Sequence, residues 1–173
     1  MREQGFGIDT IAVGAGIGIS EHAKWEPKWT IEKYDGSMNL YATEEIQGNL
    51  LLNEGITALL ALLTGGAETA FNNANSYIGI GDSTTVASAT QTGLQAVANK
   101  AYKAMDATYP QVSGQAVTFR STFGPDDGNY DWKEFAVANG NSDAAKNLNR
   151  KVEAHGRKVF PDTWVIQLQI SIA

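Results

Sequence analysis

Trp164-Val165-Ile166-Gln167-Leu168-Gln169-Ile170-Ser171-Ile172 is the stretch that decides the fold class. Trp164, Ile166, Leu168, Ile170 and Ile172 fall on one side of an extended chain, with Val165, Gln167, Gln169 and Ser171 on the other. A helix would scatter these five apolar residues around its axis, whereas a period of two lines them up. A one-residue slip would expose all five, so the register is strongly specified and the strand belongs in a core.

The same period appears upstream. In Gln115–Phe123, Val117, Phe119, Ser121 and Phe123 alternate with Thr118, Arg120 and Thr122. Gly124-Pro125-Asp126-Asp127-Gly128-Asn129 is a dense turn signal, and Trp132–Ala138 and Leu148–Ala154 read as further strands. Nearer the N-terminus, Trp29, Ile31 and Lys33 alternate with Thr30, Glu32 and Tyr34. Asp35-Gly36 then marks a tight turn, and Met38, Leu40 and Ala42 return toward Ile46 as a hairpin. Tyr77-Ile78-Gly79-Ile80-Gly81 reads as a short buried strand, while Leu94–Met105 fits either a short helix or an irregular edge.

One segment switches period. Leu52, Ile56, Leu59, Leu60 and Leu63 recur at helical spacing within residues 50–64, which predicts a single short helix packed by an apolar stripe. Asn49 or Asn53 is placed to cap its start, and Gly65-Gly66 to stop it. Many short strands separated by turn clusters, with one helix, predict a mainly β protein: a β-sandwich or jelly-roll-like domain over residues 25–173.

Residues 1–24 differ from the rest. Gly5, Gly7, Gly14, Gly16 and Gly18 are interspersed with Ile and Val, giving an extended, apolar, Gly-rich N-terminal arm. The glycines run G-x-G-x-G and not G-x-G-x-x-G, and Trp25-Glu26-Pro27 follows too soon for a helix. A dinucleotide loop is therefore not the expected reading. An arm of this composition would have to bury itself elsewhere, which makes Ile8, Ile11, Val13, Ile17 and Ile19 candidate subunit contacts.

Composition excludes several chemistries. The 173 residues contain no cysteine, which removes disulfide scaffolds, thiolate metal sites and a Cys nucleophile together. Two histidines, His22 and His155, make a His-rich metal site an unexpected outcome, and no cofactor is predicted. A formal charge of −6 disfavours a phosphate-backbone binder, so no nucleic-acid partner is predicted. Lys146, Arg150, Lys151, Arg157 and Lys158 form the only basic concentration and read as a solvated surface or subunit contact. No run approaches 18 apolar residues, and no basic segment precedes an unbroken apolar one, so neither membrane span nor signal peptide is expected.

Candidate sites are sparse. Glu44-Glu45 and Asp126-Asp127 are adjacent pairs that a strand sends to opposite faces, unlike the facing carboxyls of a glycosidase. Asp126, Asp127 and Asp131 make a weak calcium candidate, because the EF-hand order and its glutamate are missing. Gly81-Asp82-Ser83-Thr84-Thr85 lacks the closing glycine of a nucleophile elbow. Trp25 and Trp29 are left as the exposed aromatics that could stack on a sugar, since Trp132 and Trp164 are assigned to the core.

A set of ordered motifs adds to this reading: Asn53-Glu54-Gly55-Ile56, Leu59–Gly65, Tyr77–Thr84 and Gln91-Thr92-Gly93-Leu94. Together with Val117–Phe123 and Asn147–Glu153, they resemble tailed-bacteriophage virion proteins, especially the N-terminal region of tail-collar fibre proteins. That pattern has an N-x-G helix, a strand-turn of the (Y/I)-I-A-(L/V)-G-(D/T)-G type and a T-x-L element. This chain departs from it at Ser83, where glycine is common, and in having no fibre repeat. The resemblance implies a structural, non-enzymatic protein of the virion, assembled in the host cytoplasm as a homo-oligomer on capsid, neck or tail subunits. A capsid decoration or tail-collar piece is expected, with a carbohydrate-binding host-recognition module as the alternative.

Overall fold

The computed structural model describes residues 24–173, so the arm contacts proposed at Ile8, Ile11, Val13, Ile17 and Ile19 lie outside the described residues. The protein is mainly β, with ten strands in two antiparallel sheets and one short helix among the described residues. The first sheet contains β1 (Trp25–Tyr34), β2 (Leu40–Gln47), β6 (Gln111–Ser113), β7 (Ala116–Phe123) and β10 (Thr163–Ile172), in the order β2-β1-β10-β7-β6. The second contains β3 (Leu50–Leu51), β4 (Tyr77–Gly81), β5 (Lys100–Ala104), β8 (Glu134–Ala138) and β9 (Asn147–Val152), in the order β3-β9-β8-β4-β5.

β10 is the centre of the first sheet, as its alternation requires. Leu168 pairs with Trp29 on one side and Phe119 on the other, and Ile166 with Ile31 and Ser121. These side chains meet Ile78, Ile80, Phe135 and Val137 of the second sheet in one buried cluster, which makes the architecture a sandwich. Trp132 stands at its middle, edge-on to Phe123, Phe135 and Trp164 at centroid distances of 4.9, 6.2 and 4.8 Å. Such tilted and edge contacts are the favoured aromatic geometry and fix side-chain orientation as well as burying area.

All five residues of β8 are buried, because the strand is covered on both faces. Phe135 and Val137 enter the central cluster. On the opposite face, the backbone of Gln95 and Ala96 hydrogen-bonds to Glu134, so the 82–99 connection lies across the second sheet. Leu94–Met105 is therefore neither a helix nor irregular throughout: a covering segment leads into edge strand β5.

The helix α1 (Asn53–Leu63) lies where the helical period predicts it, but its packing differs from the leucine stripe. Its buried residues are Gly55 and Ala58, whereas Ile56, Leu59, Leu60 and Leu63 are exposed. Small residues face the sheet because the helix backbone runs against β9: a Cβ on Gly55 would lie 2.6 Å from Leu148 Cα. The start is capped by Leu52 without a side-chain bond, and Asn53 N donates instead to Ala89 O at 2.8 Å. The C-terminal end follows the expected glycine stop, with Gly65 left-handed at φ 73° and Gly66 N donating to Ala61 O at 2.7 Å.

The first hairpin turns at the predicted place by a different mechanism. Met38, not Gly36, carries the positive φ, at 63°, while Asp35 Oδ1 accepts from the backbone of Ser37 and Asn39, each at 2.9 Å. Gly36 is needed for closeness, since a Cβ there would meet Pro161 Cγ at 2.5 Å.

Candidate interaction surface

At one end of the sandwich the sheets and α1 leave an apolar cleft of about 590 Å³. Trp25, Val117, Ile170 and Ile172 line it from the first sheet, Leu59 from the helix and Phe71 from the connection after it. Among the described residues no charged side chain lines this space. Its rim includes Val112 of edge strand β6, which is 79% exposed. The exposed face of α1 extends the apolar surface outward from Leu59, with Leu63 one turn further along the helix and 81% exposed.

The tryptophans expected to stack on a sugar do not form a platform. Trp29 is fully buried, at 0% exposure, because its position on β1 alternates with the polar face and packs on Phe135 at 5.8 Å. Trp25 is half-buried, lines the apolar cleft and has Nε1 3.5 Å from Asn49 Oδ1. The shared odd parity of the two residues on one strand identifies both as inward-facing, and that parity outweighs aromatic identity.

The calcium candidate is also corrected. Asp127 is paired with Lys103 at 2.6 Å and accepts from Gly124 N, whereas Asp131 Oδ2 lies 3.6 Å from Lys133 Nζ. Among the described residues no group of three or more carboxylates or histidines converges as a metal site. A cation does sit on this turn, but it is the ammonium of Lys158, which donates to Gly124 O at 2.7 Å and Asn129 Oδ1 at 3.0 Å. Lys158 Nζ also lies 3.4 Å from Pro125 O. Burial lowers the Lys158 pKa, partly offset by the Asp127, Asp162 and Asp126 charges.

The basic concentration divides: Arg150 and Lys158 are wholly buried, whereas Lys146 and Arg157 are exposed. Arg150 Nε donates to Glu134 Oε2 at 2.8 Å, and Nη1 donates to Thr85 O and Gln91 Oε1. Glu134 additionally receives the Gln95 and Ala96 N–H groups at 3.0 and 2.7 Å, so the 82–99 connection is pinned by one buried ion pair. Sequence periodicity could not find it: Asn147, Asn149 and Arg150 are polar residues on a strand whose first four positions are all buried.

A second charged cluster links the hairpin to residue 155. Lys33 Nζ donates to Glu44 Oε1 at 2.6 Å and to His155 O at 2.7 Å, and stands 4.3 Å from the Trp164 ring centroid. His155 Nδ1 lies 2.6 Å from Glu44 Oε2. Burial raises the Glu44 pKa, yet the hydrogen bonds from Lys33 and His155 outweigh it and hold the carboxyl below its ordinary value. Glu45, the neighbouring acid, points to the other face and pairs with Lys28 at 2.5 Å. Glu44 and Glu45 are thus each committed to a cation, and none of Lys33, Glu44 or His155 lines the cleft. His22 and the arm lie outside the described residues.

No protein-family model, curated protein or solved structure matches the chain.

Proposed function

We propose that this chain is a structural, non-enzymatic subunit of a tailed-bacteriophage particle. It repeats in symmetric copies as a capsid decoration or a neck or tail-collar component, and its residence is the virion. The observation that carries this reading is the apolar surface formed by Ile56, Leu59, Leu60 and Leu63 of α1 together with the adjoining cleft. Contiguous exposed apolar area on a folded protein marks a contact site, and here it sits beside β6, which ends its sheet among the described residues. The polar contacts accord with a structural role: the Glu134–Arg150 and Lys33–Glu44 pairs, and the Lys158 ammonium on the Gly124–Asn129 turn, hold connections onto the sandwich. Among the described residues no helix is long and apolar enough to cross a membrane.

Immunogold labelling of purified phage particles with an antibody to this chain tests the assignment. Label at fixed positions on head, neck or tail supports it; a chain found only in the particle-free lysate overturns it. Leu60→Asp/Leu63→Asp should stay folded, since both side chains are exposed, and should be lost from particles.

A further inference from the structure

We propose that the apolar cleft receives residues Ile11–Ile19 of a neighbouring copy of this chain, an inference that rests on the assembly reading above. The segment has the chemistry of a one-faced strand. Ile11, Val13, Ala15, Ile17 and Ile19 fall on odd positions, while Ala12, Gly14, Gly16 and Gly18 fall between them. In an extended chain this gives one continuous apolar edge and one almost bare edge that lets another backbone approach closely. From Thr10 to Ser20 there is no charge, matching a cleft lined by no charged side chain.

The cleft also offers backbone. Val112 at its rim belongs to β6, which pairs with β7 and ends the sheet order on that side. An added strand would meet unpaired ladder groups there and pockets for alternate side chains below, the arrangement of β-augmentation.

The root of the arm leaves the sandwich beside the cleft. Lys24 N donates to Ala173 O at 2.6 Å and Ala173 N to Lys24 O at 3.1 Å, so the chain enters β1 already aligned with the sheet. Trp25, the next residue, is part of the cleft lining. Extended, residues 1–23 reach up to about 75 Å at roughly 3.3 Å per residue, against a radius of gyration of about 15 Å for a 150-residue domain. Each copy then gives one arm and accepts one, a head-to-tail contact that closes into a ring when the rotation allows.

The absence of cysteine makes the test clean. Full-length chains carrying Ile17→Cys and Val112→Cys are mixed and oxidised, with Val97→Cys as an exposed partner away from the cleft. The Ile17→Cys and Val112→Cys chains should form a covalent heterodimer in yield about tenfold or more above the Val97→Cys control, because docking raises the local concentration toward millimolar. The doubly substituted chain should give a ladder of multimers on a denaturing gel. Cross-linked monomer alone would place the arm in its own cleft and overturn the proposal, as would yields equal to the control. Ile17→Asp/Ile19→Asp in the full chain should lower the mass in light scattering while leaving the circular dichroism unchanged. Particles that carry the chain without these cross-links would refute the cleft assignment and spare the virion reading. Cross-links in a chain absent from particles would do the reverse.

Discussion

Gly55 of α1 lies against Leu148 of β9 so closely that a methyl group on Gly55 would stand 2.6 Å from Leu148 Cα. Beside this contact, Glu54 Oε1 accepts the Asn147 N–H at 2.8 Å, so helix and strand are joined by close packing and a hydrogen bond at adjacent positions. An eleven-residue helix is marginal in isolation, so this contact decides whether it forms.

Gly55→Ala should therefore destabilise the protein despite the helix propensity of alanine. Propensity favours the substitution by about 1 kcal/mol. The clash is with main-chain atoms that no rotamer change relieves, and overpacking of this kind costs about 1–3 kcal/mol. A lower urea midpoint is expected; a midpoint equal to or above that of the parent would show that the helix can lift off β9 at no cost.

The Glu134–Arg150 pair leads to a second expectation. Arg150→Met leaves a carboxylate that is fully buried and still bonded to two backbone N–H groups, at a cost of about 3–5 kcal/mol. Glu134→Gln in the same chain removes the stranded charge, so the double variant should be more stable than Arg150→Met alone. Denaturation of the four proteins of this cycle gives the coupling, and strict additivity would mean that the charges do not interact.

What the sequence made legible follows from where one face of an element is apolar and the other polar. β10 and β7 alternate cleanly, and both were assigned with nearly their observed limits because each has a polar outer face. The helical period locates α1 but points the wrong face at the core. Periodicity assumes that the largest apolar side chains face the core, while α1 packs through Gly55 and Ala58 and leaves its leucines outside.

The site residues fared according to the same rule. Elimination leaves Trp29 exposed once Trp132 and Trp164 are assigned to the core, yet its alternation with Thr30 and Glu32 places it inward. Arg150 and Lys158 read in sequence as a solvated surface or subunit contact because charge is usually exposed. Their burial depends on acceptors distant in sequence: Glu134 for one, and the Gly124–Asn129 turn for the other. The cleft is illegible for a related reason, since its lining is drawn from separate stretches, around Trp25, Leu59 to Phe71, Val112 to Phe119, Leu148 and Ile170 to Ile172, that no local pattern connects.

Lys158→Met tests whether its ammonium organises the turn. The substitution keeps the length of the stem but leaves Gly124 O and Asn129 Oδ1 without their donor. Unsatisfied buried acceptors cost about 1–3 kcal/mol, so the melting temperature should fall. Calcium should not raise the melting temperature of the parent, because a cation already occupies these oxygens. A calcium-dependent increase in the parent would restore Asp126, Asp127 and Asp131 as a metal site.

Acid sensitivity should come from the partnered carboxylates. Glu44, Asp127 and Asp143 are each pushed up by burial, but hydrogen bonds and cations win: Lys33 and His155 at Glu44, Lys103 at Asp127, Lys100 and Tyr102 at Asp143. Their folded pKa values lie below the ordinary 4.5 for Glu and 3.8 for Asp. Between the two values the unfolded chain binds more protons than the native one, so stability rises with pH through this window. The contribution is fully present above these ordinary values and is lost as pH falls through the lower folded ones. Lys158 stays charged in both states at acid pH and adds no slope there. Melting temperature should therefore be flat from pH 6 to 8 and fall steeply below pH 4.5, with Glu44→Gln shallower on the acid limb and lower on the plateau. Because these carboxylates are part-exposed, added salt should reduce the plateau difference between parent and variant. An acid limb unchanged by Glu44→Gln would mean that the Lys33–Glu44–His155 cluster does not hold the hairpin to residue 155.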